Sequence, residues 1–573
     1  MTKNRRVTMF TFLLIFSTSY AFAQEAGTTG KVESSERQIE KEKELRLRIE
    51  KEKTTVPIEE EKPAQVAPVP AAAEKALVTT INVSGVTLFS ESEIFAITSS
   101  FLNRELTLKE MQRVADLITD LYRTNGYVTS HAYLPPQKIE GGIMEIRVIE
   151  GQTGRIEIKG NRFFRSAQLK RSLGMNTGEF FNYNVLRRNL GRINEHPDRN
   201  AKAVLAPGKD PGTTDIILEV KDKLPLHAQV GWDNYGSRYL RKNHYTTGLT
   251  HNNLLGFDDI LSVQYQVADA EDYRLGSLRY LFPVDPRLKV GVFGSFSHLA
   301  LGKEYREVMA RGKSRMYSLF SMYDLVAEDN LGVVFNLGFD YKDSFNFQLA
   351  DEESRDRLRV VKAGFDVDVS DDFAGSGRSI ISQEIDCGIS RIMGGLRAVD
   401  PHASRSGAGG KFVKNTFNIL RLQKTPLEST LLWKNQLQIS PYILTATEQF
   451  QLGGIANNRG YPSAEYVGDE GFATSLELNL PFYGLSREIK LPFDNVKLYD
   501  AMKWVIFYDW GFTQLRQPQA GEKKNSTLRS FGCGFRFNLP QNFYLRADFG
   551  WPLAKTPSDG NHFHPWLSIS KEF

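Results

Sequence analysis

The chain has 573 residues, 41% of them hydrophobic and 24% charged, with 72 Lys and Arg against 68 Asp and Glu. Beyond the apolar run Met9 to Phe16, nothing approaches the roughly 18–20 apolar residues that a spanning helix requires, which excludes a helical membrane protein. The even charge balance argues against a nucleic-acid partner, and the length exceeds one ordinary domain. A soluble multidomain protein or a membrane β-barrel remains, since barrel strands average to ordinary hydropathy.

Residues 1–23 read as a cleaved signal peptide: Lys3, Arg5 and Arg6 precede an apolar stretch, and Ala21-Phe22-Ala23 supplies the small residues of the cleavage site. Residues 24–53 contain a polar run, Lys31 to Lys53, whose Glu and Lys fall three or four apart and support a helix. With no apolar face to bury, such a helix is either solvated or suited to a water-filled cavity. Residues 54–75, with Pro57, Pro63, Pro68 and Pro70, read as an extended, unpacked linker.

Residues 76–151 predict the order β-α-α-β-β. Thr107 followed by Glu110 forms a capping box, Ser90 and Ser92 are candidate caps, and Gly126 ends the second helix. Residues 152–223 repeat that order, so the period is about 75 residues. From 224 to 573 the texture becomes short alternating stretches separated by turns. Sixteen can be counted, at about 22 residues per strand plus loop, consistent with ~10-residue membrane strands. Connections after even strands are mostly short and several after odd strands are long, the exception being Tyr483 to Ala501. A final aromatic, Phe573, closes the last alternating strand. The predicted fold class is therefore two α+β domains followed by a 16-stranded antiparallel transmembrane β-barrel. Cys387 and Cys533 are too few for a disulfide framework, and pairing between them is left open.

Three stretches carry a family resemblance: "INVSGVTLFSESEI" with "LYRTNGYVTSHAYLPPQKIEGGIMEIRVIEG", then "GRIEIKGNRFF" with "LGRINEHPDRNAKAVLAPGKDPGTTDIILEVKD", and "LGGIANNRGYP" with "FYDWG" in the barrel. The chain resembles the two-partner secretion transporters of the ShlB/FhaC/HecB haemolysin secretion/activation family, in the BamA-like superfamily. The first two stretches look like POTRA domains 1 and 2. His131 stands where the family pattern leads one to expect arginine.

The resemblance implies that loop 452–470 folds into the lumen and that Arg459 meets Asp509 of the F-x-D-x-G stretch Phe507 to Gly511, with Glu477 as a second acidic partner. Asn458 replaces an apolar residue of the family motif. A guanidinium in a confined lumen needs a carboxylate, which it can bind through two parallel hydrogen bonds. Gly460 is expected to allow a tight turn, Tyr461 to pack with its hydroxyl bonded, and Pro462 to restrict the return.

No hydrolase, metalloprotease or nucleotide-binding pattern is present, so neither an enzyme nor a cofactor is expected. His562-x-His564 lacks a third metal ligand in view. The resemblance implies a monomeric outer-membrane pore with POTRA domains in the periplasm. They would bind an unfolded exoprotein of the adhesin or haemolysin kind, which would cross without nucleotide hydrolysis. Membrane lipids and the barrel assembly machinery are the other expected partners, and the polar helix is the expected resting plug. An insertase of the BamA kind is the alternative; a passive porin or adhesin would leave the POTRA repeats without purpose.

Overall fold

Ser90 and Thr107 each accept a hydrogen bond from the amide three residues on, while Glu93 and Glu110 each accept one from the cap amide. These boxes start α1 (Glu91–Thr98) and α2 (Leu108–Thr124). Ser92 lies inside α1 rather than capping it. The computed structural model describes Gln38, Ile49, the backbone of 58–60, and 75–573 apart from 238, 240, 270–272, 303–306, 308, 329, 350, 484–485, 492–495 and 540–541. The expected signal peptide, and most of the expected helix and linker, lie outside the described residues.

The chain divides into two compact units, Lys53–Pro225 and the remainder. In the first, α2 buries Met111, Val114, Ala115, Ile118 and Tyr122, a helical spacing that faces Met144, Ile146 and Val148. Each fully buried Ile, Val or Met contributes about 1.5–3 kcal/mol, so this one face holds the small domain together. The first strand of the expected order is broken at Thr79 into β2 (Lys75–Val78) and β3 (Thr80–Ser84). An additional strand, β4 (Arg104–Thr107), pairs with β2, while β3 runs parallel to β6 (Ile143–Ile149), which also takes β5 (His131–Tyr133).

The second α+β domain has the expected order: β7 (Gln152–Lys159), α3 (Ser166–Leu173), α4 (Tyr183–Asn194), β8 (Arg199–Pro207) and β9 (Thr213–Asp222). The 75-residue period has a physical counterpart in Gly85 and Gly160. Both have φ near +84° and stand so close to a carbonyl, that of Val148 or Val220, that a Cβ would lie within 2.5 Å of it. A further strand, β1 (Ile58–Glu60), pairs in parallel with β8, so this part of the linker is not unpaired as expected.

Glu150 clips the first domain together. It accepts from the Thr87 and Leu88 amides at 2.8 and 2.9 Å, from the Thr87 hydroxyl, and from Tyr122 at 2.7 Å. Burial raises its pKa, but these donors outweigh burial and hold it below the ordinary value. A depressed folded pKa stabilises above the unfolded value, and that stability is lost as pH falls through the folded value. Glu150→Gln is expected to remove about 1–2 kcal/mol of local protection at pH 7 and little under acid conditions. Hydrogen exchange at the Thr87 and Leu88 amides measures it; equal protection loss at both pH values would contradict the clip.

The second unit is a closed antiparallel barrel in chain order. Its strands are β10 (Leu226–Asp233), β11 (His244–His251), β12 (Ile260–Ala268), β13 (Tyr273–Pro283), β14 (Leu288–Ala300), β15 (Arg311–Ala327), β16 (Leu331–Gln348) and β17 (Asp351–Asp371). They continue with β18 (Gly377–Gly388), β19 (Phe412–Thr425), β20 (Ser429–Ile439), β23 (Glu470–Pro481), β24 (Met502–Gln514), β25 (Asn525–Leu539), β26 (Phe543–Pro552) and β27 (His564–Glu572). A hairpin of β21 (Phe450–Leu452) and β22 (Tyr466–Gly468) lies in the loop between β20 and β23. Strands β10 and β27 close the circle, helped by reciprocal backbone bonds between Ala228 and Phe573. Strands β15, β16 and β17 run 17, 18 and 21 residues, well beyond the expected ten. Cys387 and Cys533 are free thiols on β18 and β25.

Register assigns the faces. Asp509, Ser475, Lys434, Leu420 and Ile380 are successive cross-strand partners lining the lumen. One residue along, Tyr508, Leu476 and Trp433 form the outward row and are 41%, 43% and 42% exposed.

Candidate lumenal site

The loop between β20 and β23 turns inward because its polar groups find their partners on the lumenal wall. At its base, Gln438 donates to the carbonyls of Glu448 and Asp469 at 3.1 and 3.2 Å. Glu448 is held by Lys342 at 3.0 Å and Lys414 at 2.5 Å, from β16 and β19. Further in, the Ala456 carbonyl accepts from Lys434 of β20.

Arg459 lies at the tip and is 2% exposed. Its Nε and Nη2 donate in parallel to the two oxygens of Asp509 at 3.0 and 2.8 Å, and its backbone amide adds a third bond to that carboxylate at 3.0 Å. Nη1 meets Glu477 at 2.6 Å, and Asp548 stands 3.6 Å away. The guanidinium lies 3.4 Å over the Phe507 ring, and Ser475 bonds both Arg459 and Asp509. Arg536 joins Glu477 to Asp548 at 3.0 and 2.9 Å, and Arg546 reaches Asp548 at 2.6 Å. Three guanidinium groups thus face three buried carboxylates, so no buried charge in the cluster is left uncompensated.

The residues around Arg459 fix the approach. Gly460 is required by proximity rather than by a tight turn: a Cβ there would lie 2.5 Å from the Ser530 Cβ and 2.8 Å from the Trp551 carbonyl. Gly550 on β26 is its counterpart, where a Cβ would lie 2.3 Å from the Arg459 carbonyl. Trp566 of β27 donates to that same carbonyl at 2.8 Å. Tyr461 is fully buried, its hydroxyl accepting from the Lys555 amide at 3.2 Å. Asn458 accepts from Ser530 at 2.8 Å, a polar contact that accounts for its departure from the family's apolar residue. Pro462 leads the chain back, its carbonyl packed against Gly453, and Gly511 leaves room for Leu452, whose Cδ1 a Cβ would meet at 2.3 Å.

The structure therefore brings together Arg459, Asp509, Phe507 and Glu477. Sequence reading missed Ser475, Asp548, Arg536, Arg546 and the Glu448 clamp. Their signal was only period-two alternation, which assigns a face but not a height along the barrel. His564 bonds Asp559 at 3.2 Å, and the described residues contain no cluster suited to a metal ion.

The family model described as haemolysin secretion/activation protein ShlB/FhaC/HecB matches residues 212–537, and the ShlB-type POTRA model matches 76–151. The chain belongs to the ShlB/FhaC/HecB family. The heme/hemopexin transporter protein HuxB of Haemophilus influenzae strain 86-028NP is 23% identical over 84% of each chain. The outer membrane transporter CdiB of Escherichia coli O6:K15:H31 is 28% identical over 32% of this chain and 31% of its own. In fold, the solved structure of CdiB from Escherichia coli matches with a TM-score of 0.73 at 19% identity, covering 94% of this chain and 98% of that one. BamA from Haemophilus ducreyi lacking POTRA domains 1–3 matches with a TM-score of 0.51 at 14% identity, over 87% and 100%. This ShlB-family chain is an outer-membrane two-partner secretion transporter, with its POTRA region in the periplasm and a secreted exoprotein as its partner.

Proposed function

We propose that the barrel is the export pore, that the Arg459 loop is its lumenal lock, and that the POTRA region, including a second POTRA domain at 152–223, receives the unfolded partner by strand addition. The observation that carries the gating part is the occupied lumen. Besides the Arg459 loop, two described residues of the N-terminal segment sit there, both helical. Gln38 donates to Gln436 at 3.3 Å, and Ile49 packs on Ile380, Leu420 and Leu432 while Arg378 donates to its carbonyl at 3.4 Å. All four wall residues that they touch with side chains are on the lumenal face by register. These contacts support a segment that occupies the path of the exported chain at rest.

Strand addition is supported by β1, whose backbone already pairs with the edge strand β8. Main-chain pairing gives affinity with little demand on side chains, which suits a long unfolded cargo. Folding of the cargo outside then drives export without nucleotide hydrolysis. Membrane lipids surround the wall, the barrel assembly machinery inserts it, and one chain suffices because the pore closes on itself. Substituting Glu59 with proline removes a backbone donor and disfavours the pairing. The expected result is a severalfold lower Kd for a partner-derived peptide that forms a strand; unchanged affinity would rule β8 out as the docking edge.

A further inference from the structure

The outer wall carries a group of cations that export does not use. On β15, Arg311, Lys313 and Arg315 alternate with buried residues and are all exposed. Register carries the same outward face to its neighbours. Lys313 pairs with His298, which pairs with Arg274 on β13; on the other side it pairs with Phe345, which pairs with Arg355 on β17. The adjacent row runs Phe296, Arg315, Asp343, Arg357.

Height matters as much as face. Directly below Arg315, the outward residues Tyr317, Leu319, Tyr323 and Leu325, with Ser321 between them, form a mostly apolar row about nine residues long, close to the ~9–11 of a membrane-crossing strand. These cations therefore sit at the rim of the hydrocarbon. Leu226 follows the periplasmic domains in the chain, so the ends of β13 to β17 that carry them are the outer ones. At the corresponding ends elsewhere, the outward residues are Ile385 and Cys387 on β18, Leu437 and Ile439 on β20, and Phe549 and Trp551 on β26, while β25 carries Arg529 alone.

Two acidic neighbours are engaged with other arginines of the wall: Asp343 with Arg359 at 2.9 Å, and Glu352 with Arg355 at 3.4 Å. Among the described residues, Arg311, Lys313, Arg315 and Arg357 form no ion pair. Lys313 and Arg357 instead lie over the Phe347 and Phe345 rings at 5.7 and 5.5 Å, which splays them along the wall. The Arg357 Nε is buried with no hydrogen-bond acceptor.

We propose that this face, centred on Lys313, Arg315 and Arg357, binds the phosphate groups of a phosphorylated glycolipid of the outer leaflet. Its acyl chains would lie along the apolar row beneath. Arginine binds phosphate through paired N–H donors, and clustered cations at the membrane rim select anionic headgroups.

The test uses the folded full-length protein in detergent, with bisphosphorylated lipid A as probe and native mass spectrometry as readout. Wild type is expected to bind lipid A at least tenfold more tightly than the same lipid without phosphates. The triple variant Lys313→Gln, Arg315→Gln, Arg357→Gln is expected to lose at least tenfold, and Arg529→Gln to lose nothing. Heat-modifiable migration on gels reports folding, and Arg315→Lys with Arg357→Lys, which keeps the charge but not the paired donors, is expected to lose less than the triple variant. Unchanged binding by a folded triple variant would overturn the proposal. So would equally tight binding of phosphatidylglycerol, which would mark a general anionic-lipid surface.

Discussion

Arg459→Ala is expected to abolish export of the partner, to below a few per cent of wild type, while the barrel still inserts. The substitution leaves Asp509 with one remaining side-chain donor, Ser475, and strips Glu477 of its 2.6 Å contact. Breaking a buried ion pair from one side costs about 3–5 kcal/mol, because the abandoned carboxylates stay out of water. That is enough to release the loop tip from β24. It is small beside the backbone pairing of sixteen strands, so the barrel survives. Immunoblots of partner in the culture medium, with heat-modifiable migration of the barrel, measure the two consequences separately. Secretion at the wild-type level would remove the proposed role of the lock. Arg459→Ala and Asp509→Ala combined are expected to cost far less than the sum of the single changes, since both delete one interaction.

Deleting residues 31–53 is expected to raise single-channel conductance in planar bilayers severalfold. Gln38 and Ile49 both lie in this segment, and both touch lumenal wall residues. Removing the segment empties that volume while leaving the Arg459 loop anchored by its own bonds. Lumenal contacts of this kind are individually weak: one neutral hydrogen bond and one buried isoleucine contribute about 1 and 1.5–3 kcal/mol. Contacts of this strength can each be exchanged for contacts with cargo, whereas the buried ion pairs of the proposed lock cost about 3–5 kcal/mol to break from one side. Conductance equal to wild type would show that the segment does not restrict the pore.

The sixteen strands were legible because alternation of lipid-facing and lumenal residues is a local signal, repeated often enough to be counted. Their ends were less so. The outer parts of β15, β16 and β17 extend past the apolar rim, where outward residues become Arg, Lys and Asp and hydrophobic alternation stops marking the strand. Strand β1 was missed for a related reason. Pro57 and Pro63 correctly indicate extended backbone, but its partner β8 is some 140 residues away, and nothing local announces the pairing.

The lumenal site divides in the same way. Arg459, Asp509 and Phe507 were reachable because they stand in short stretches that resemble a family pattern. Asp548, Arg536 and Arg546 stand in no such stretch. Each was visible only as a charged residue on an alternating strand, and what joins them is the register between the successive strands β23 to β26, which brings them to one height. The residues by themselves determined the repeat, the strand count, and the inward and outward faces, because these depend on periods of two and 3.6 residues along the chain. Which charges meet was decided by the tertiary structure alone: shear and register between neighbouring strands set the height of each side chain, and a buried charge is stable only where a partner arrives at that height.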